Sequence, residues 1–155
     1  MIYLIGIARW LHIVAGVTWL GGNTLLLLVV YPMLLKLPAL EAERFYKLLP
    51  RYTGPLMAIS GSLVVLLGIV LGTLFGPIRS LDVLGSPYGI TWLAAFALAI
   101  VLAVWGERRN NFIGPIWEGE KVNAIAQSRL RTSTTLELVG FAAVLVCMVL
   151  MHFGY

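Results

Sequence analysis

Residues 10–32 read WLHIVAGVTWLGGNTLLLLVVYP, a run without one ionised side chain. A bilayer's hydrocarbon core is about 30 Å thick and takes roughly 20 residues of helix to cross. The stretch therefore predicts a membrane-spanning helix over Trp10–Pro32. Three further stretches have the same character, Gly54–Gly76, Tyr88–Gly106 and Ser133–Phe153. The whole chain agrees with this reading. Of its 155 residues 60% are hydrophobic and only 12% charged, with a mean hydropathy of +0.93, where a soluble domain carries about 25% charged residues. The alternation of outward apolar residues that marks a membrane barrel is absent. The expectation is one all-α domain over residues 1–155, an integral membrane four-helix bundle running up-down-up-down. The opening segment resembles a signal peptide only superficially, because its apolar run is too long and no small-residue cleavage site follows a basic stretch.

Lys and Arg are divided unequally between the two ends of this bundle. Nine lie in the first and third connections: Lys36, Arg44, Lys47, Arg51, Arg108, Arg109, Lys121, Arg129 and Arg131. Only Arg9 and Arg79 lie at the opposite end. The positive-inside rule puts the nine in the cytoplasm and both termini outside, in a cell's inner (cytoplasmic) membrane. The net charge of +4 reflects this bias. No phosphate-cradling Gly loop or basic-aromatic surface points to a nucleic-acid partner. Ala39–Leu49 and Glu118–Leu130 have the pattern of short helices lying on the membrane surface, with Gly114–Pro115 breaking the third connection. Pro77–Pro87 reads as a tight turn region.

The chemistry-bearing residues are few. The chain has two histidines, His12 and His152, each one or two turns inside the outer interface at about 1.5 Å per residue. Arg9, His12, Gly16, Trp19 and Asn23 follow one another at intervals of three and four, so they share one face of the first helix. A polar stripe of this kind points into the bundle, because lipid offers its atoms no partner. On the last helix Glu137, Phe141, Val144, Met148 and His152 form a second seam. First and last helices of an up-and-down bundle are usually neighbours, so the two imidazoles could meet around a metal. Intramembrane ionisable residues are functional candidates by default. His12 and His152 are accordingly the candidate metal ligands.

Neutral imidazole is an ordinary axial ligand of haem iron. A haem b site between the first and last helices would use apolar walls, with Trp19 and Met148 as candidate contacts. Arg9 and Arg79 are the outer cations able to bind propionates. Gly16 would give a flat macrocycle clearance, or simply let helices pack, as the Gly21–Gly22 pair would. Such a haem would serve electron transfer to a redox partner protein, or bind a small diatomic ligand. Copper is the alternative, because Cys147, Met148 and Met151 lie near His152 and soft sulfur with imidazole suits Cu(I). A cofactor-free scaffold with interfacial histidines is the third reading. Asn23 reads as an interhelical hydrogen-bonding residue, and Glu137 as the partner of a loop Arg. A single cysteine excludes an intramolecular disulfide, no set of four zinc ligands stands out, and no nucleophile lies at a telling distance from a base. The small-residue faces permit a homodimer.

Trp10 to Gly22, followed by Tyr31-Pro32, resembles the opening helix of the superfamily of CopD-type copper-resistance membrane proteins and HemJ-type protoporphyrinogen oxidases. The similarity rests on His12, Trp19 and the Gly21–Gly22 pair, and extends over roughly the first 75 residues. It implies haem b or copper binding, with His12 as the iron ligand if haem is bound. HemJ-type enzymes carry a Lys a few residues after a Trp in the third helix. Here Trp92 is followed by Leu93, Ala94, Ala95 and Phe96, with no Lys in that span. Protoporphyrinogen oxidation is therefore not expected.

Overall fold

The computed structural model describes residues 2–117 and 124–155, and the described residues form four long helices without a strand. Each is long and apolar enough to cross a membrane: Ile2–Leu34, Ala39–Gly72, Pro87–Arg109 within a helix reaching Trp117, and Gln127–His152 within a helix starting at Ala124. Large apolar side chains point outward at mid-span: Ile13, Val17, Val101 and Val139 are each 60% or more exposed. An all-α bundle with that surface belongs in lipid, where outward aliphatic groups need no protein cover. Hydroxyls within the spans bond to their own helix, Thr18 to the Val14 carbonyl at 2.9 Å and Ser60 to that of Leu56 at 2.7 Å. That satisfies them in a medium without water.

The first helix is regular from Ile2 to Leu25, then widens into a π-helical turn at Leu26–Val30 and closes with Tyr31–Leu34. The Tyr31 N–H reaches back five residues to the Leu26 carbonyl. Pro32 has no N–H to give the preceding turn, and the wide turn accommodates this. It also places Leu26, Leu27, Tyr31 and Leu34 together on a buried face, against Ala42 and Leu130.

Several boundaries differ from those read in the sequence. The first helix starts at Ile2 rather than Trp10, and the second ends at Gly72 rather than Gly76. Ala39–Leu49 is not a separate surface helix but the opening of a single 34-residue helix that continues through Pro50 and Pro55. Ala42, completely buried against the end of the first helix, ties that opening into the bundle. Phe45 and Leu48 still face outward. Gly114–Pro115 causes no break, because the third helix runs on to Trp117. The expected surface helix Glu118–Leu130 begins outside the described residues, and from Ala124 onward it belongs to the fourth helix. Pro77–Pro87 is a compact turn region with a 3-10 turn at Leu81–Gly85.

Packing is pairwise, first helix on second and third on fourth, with the second joining the pairs by packing on the third. The first and last helices make no comparably close backbone approach. Bulky side chains hold them apart: Trp19 meets Phe141 edge to face at 5.2 Å between centroids. The second helix allows the closer contacts because it carries glycines where indoles rest. A Cβ on Gly61 would lie 3.0 Å from the Trp19 Nε1. Small residues at such seams are the usual means by which helices approach in lipid.

Candidate functional site

Above the Trp19–Phe141 contact, which spaces the first and last helices, the four helices line a half-open cavity of about 330 Å³ in the half of the bundle that carries the termini. Both His12 and His152 line it. Its floor is the buried cluster beneath, shared through Val64, Ala99 and Val144. The remaining wall comes from all four helices, with Gly68 and Gly72 on the second, Trp92 and Phe96 on the third, and Met148 and Met151 on the fourth.

One wall is flat and aromatic. Trp92 and Phe96 stack with ring planes 6° apart and centroids at 5.7 Å. The Trp92 indole donates to the Gly68 carbonyl at 3.2 Å. That carbonyl already belongs to a helix, and the absence of a side chain at Gly68 and Gly72 lets the indole reach it. A Cβ on Gly72 would overlap the Trp92 ring. The His12 ring rests on the same turn of the second helix, its Cε1 3.4 Å from where a Gly68 Cβ would be. Its Nδ1 is buried and has no hydrogen-bond partner among the described residues. A buried ring nitrogen without a partner is costly, and a metal or ligand would relieve that cost.

His152 closes the fourth helix, exposed, its ring edge-on to Phe153 at 5.5 Å. Met148 and Met151 lie half-buried at the cavity, whereas Cys147 is outside its lining. Arg9 is exposed and lies within electrostatic reach of the Tyr88 hydroxyl at the cavity wall. Arg79 is exposed, and neither it nor Arg9, Gly16 or Trp19 is part of the lining. Gly16 faces Val64 at an ordinary packing distance, 3.9 Å from a would-be Cβ, and Trp19 is core. Of the glycine pair, Gly22 packs against Met57 while Gly21 faces open space. Asn23 bonds to the Trp19 carbonyl at 2.7 Å and reaches the Met57 sulfur across the helix boundary at 3.5 Å.

The opposite end holds a polar network whose depth the sequence did not reveal. Arg109 and Glu137 form an ion pair, both 2% exposed. Ser133 donates to Glu137 at 3.3 Å and receives the Trp105 N–H at 3.0 Å, while the guanidinium lies over the Tyr31 ring at 5.3 Å. Spacing held the signal: Trp105 and Arg109, like Ser133 and Glu137, are four apart and share a helix face. No group of three or more His, Cys, Asp and Glu side chains gathers around a common point among the described residues. Comparison of the chain with protein-family models, with curated proteins and with solved structures returned no match.

Proposed function

We propose that this protein is a haem b protein of the cytoplasmic membrane, with its haem in the cavity near the outer leaflet, between the first and last helices. The observation that carries the reading is that His12 and His152 line one cavity, with the buried Nδ1 of His12 lacking a hydrogen-bond partner among the described residues. The residues present fit the group. Two imidazoles suit iron, the stacked Trp92–Phe96 wall suits a planar apolar macrocycle, and Arg9 beside Tyr88 offers a cation for a propionate. The resemblance of the first helix to the CopD and HemJ superfamily supports the same choice.

In this reading His12, resting on the Gly68 turn, and His152, exposed at the helix end where a redox partner could approach, would hold the iron. The apolar floor beneath Val64, Ala99 and Val144 keeps water and ions from crossing the bundle below the site. When bound, haem b supplies a one-electron couple, and with one axial position open it also takes small diatomic ligands. The deciding experiment is an absorption spectrum of the detergent-purified protein before and after dithionite, with a pyridine haemochrome assay. One haem b per chain with sharp reduced bands supports the bis-histidine electron-transfer form. A colourless protein made with ample haem supply removes the reading.

Copper is the second reading, favoured by one observation: Met148 and Met151 share the cavity lining with both histidines. Two thioethers and two imidazoles are a donor set suited to Cu(I). Bound copper at one equivalent in a colourless protein would select it.

A further inference from the structure

The separation of the first and last helices leaves a second opening at the Lys- and Arg-rich end, a groove of about 500 Å³ on the lipid-facing side. Its composition is graded. Leu27, Leu28 and Pro32 on the first helix and Leu130 on the fourth form an apolar bed. At its rim stand Lys36, Gln127 and Arg131, while Thr134 and Thr135 line it about one helical turn further in. No carboxylate is part of the lining, and neither cation is in an ion pair among the described residues. Both are exposed.

Leu27 lies in the wide turn and Lys36 two residues past the end of the helix, so the groove extends over about two helical turns, roughly 10 Å. It therefore runs from headgroup level into the hydrocarbon. A largely apolar slot that opens sideways to lipid and ends under two cations with no carboxylate partner among the described residues matches an amphiphile with an acyl chain and an anionic head. Basic pockets between membrane helices on the cytoplasmic side are suited to such headgroups, each Lys or Arg contributing about 1 kcal/mol near the surface.

We propose that this groove is a binding site for one anionic phospholipid of the cytoplasmic leaflet. Its phosphate lies between Lys36 and Arg131, and one acyl chain lies along Leu28, Pro32 and Leu130. The site is independent of any cofactor in the opposite half. The lipid fills the cleft between the first and last helices where protein packing is thin, so its binding stabilises the pairing of the two halves of the bundle.

The test uses the full chain in mild detergent, with native mass spectrometry and thermal unfolding after addition of phosphatidylglycerol, phosphatidylcholine or inorganic phosphate. The expected result is one retained phosphatidylglycerol per chain with a raised melting temperature, and neither effect from phosphatidylcholine or phosphate. Exchange of both cations (K36Q with R131Q) should lower phosphatidylglycerol affinity by about 25-fold, five-fold for each charge. The control R44Q, at an exposed cation outside the groove, should leave it unchanged. Filling the bed with L28W, at a position already 54% exposed, should block retention while leaving the cations in place. Equal retention of phosphatidylcholine, protection by inorganic phosphate alone, or undiminished binding by the double variant would each overturn the proposal.

Discussion

Arg109 on the third helix and Glu137 on the fourth form an ion pair from which solvent is almost excluded, with Tyr31 of the first helix beneath the guanidinium. The pair thus joins three of the four helices at one end of the bundle. Its attraction is offset by the desolvation of both charges, so its net worth is small while its integrity matters a great deal. Ser133 and Trp105 complete the arrangement by bonding the carboxylate and its neighbour.

Removal of one partner leaves the other charged in a dry site. Glu137→Leu or Arg109→Met alone should destabilise the fold by about 3–5 kcal/mol, and the double substitution should recover most of that loss. Thermal unfolding of the four proteins in detergent checks this. A double variant as unstable as the worse single one would show that the pair itself, not the orphaned charge, is what the fold needs.

The glycines can be ranked before any is substituted. Gly72→Ala pushes a methyl group into the Trp92 indole and should cost about 1–3 kcal/mol as overpacking does. Gly21→Ala meets nothing within 4 Å and should be neutral or slightly stabilising, since Ala exceeds Gly by about 0.5–1 kcal/mol in helices. Gly22→Ala falls between, because what it displaces is the flexible end of Met57. Melting temperatures in that order support the packing described, and an inverted order contradicts it.

For the haem reading, His12→Ala should abolish retention of haem through purification. Full haem content in that variant would remove His12 as a ligand. Retention by a His12→Gly variant supplied with free imidazole would distinguish ligation from a merely structural role.

His152→Ala tests the second axial position separately. If His152 ligates, the oxidised spectrum should change from low-spin to high-spin with haem still bound, since the rest of the cavity is intact. An unaltered spectrum would return His152 to the interface, where its exposed position at the helix end also suits it.

A modest weakening is expected of Arg9→Ala, about two- to ten-fold in haem dissociation rate, the range of one charge-assisted contact at an exposed site. Arg79→Ala should have less effect, as Arg9 and not Arg79 lies within electrostatic reach of Tyr88 in the cavity lining. Haem transfer to apomyoglobin reads both rates.

Sequence alone was enough for the membrane class, the number of spans, the two-ended charge distribution and an Arg partner for Glu137, though it put that Arg in a connection and Arg109 stands on the third helix. These depend on how apolar each stretch is along the chain, and on how charge is placed at its ends. Hydrocarbon imposes that condition on each helix separately, before any helix meets another. The same one-dimensional signal could not tell Gly21 from Gly22, or place Trp19 in the core rather than at the cavity. Nor did it show that Ala39–Leu49 continues into the second span, because Ala42 has its burial only once the first helix is beside it. Adjacency of the first and last helices was expected from topology. Their side chains do meet, at Trp19–Phe141 and around Leu27 and Leu130, but the tertiary structure set a wider spacing there, because the Trp19–Phe141 contact needs width while Gly61, Gly68 and Gly72 let indoles lie close to the second helix. From that asymmetry come the cavity with its two histidines and the groove at the other end, since a space between helices is set by side chains from several of them at once.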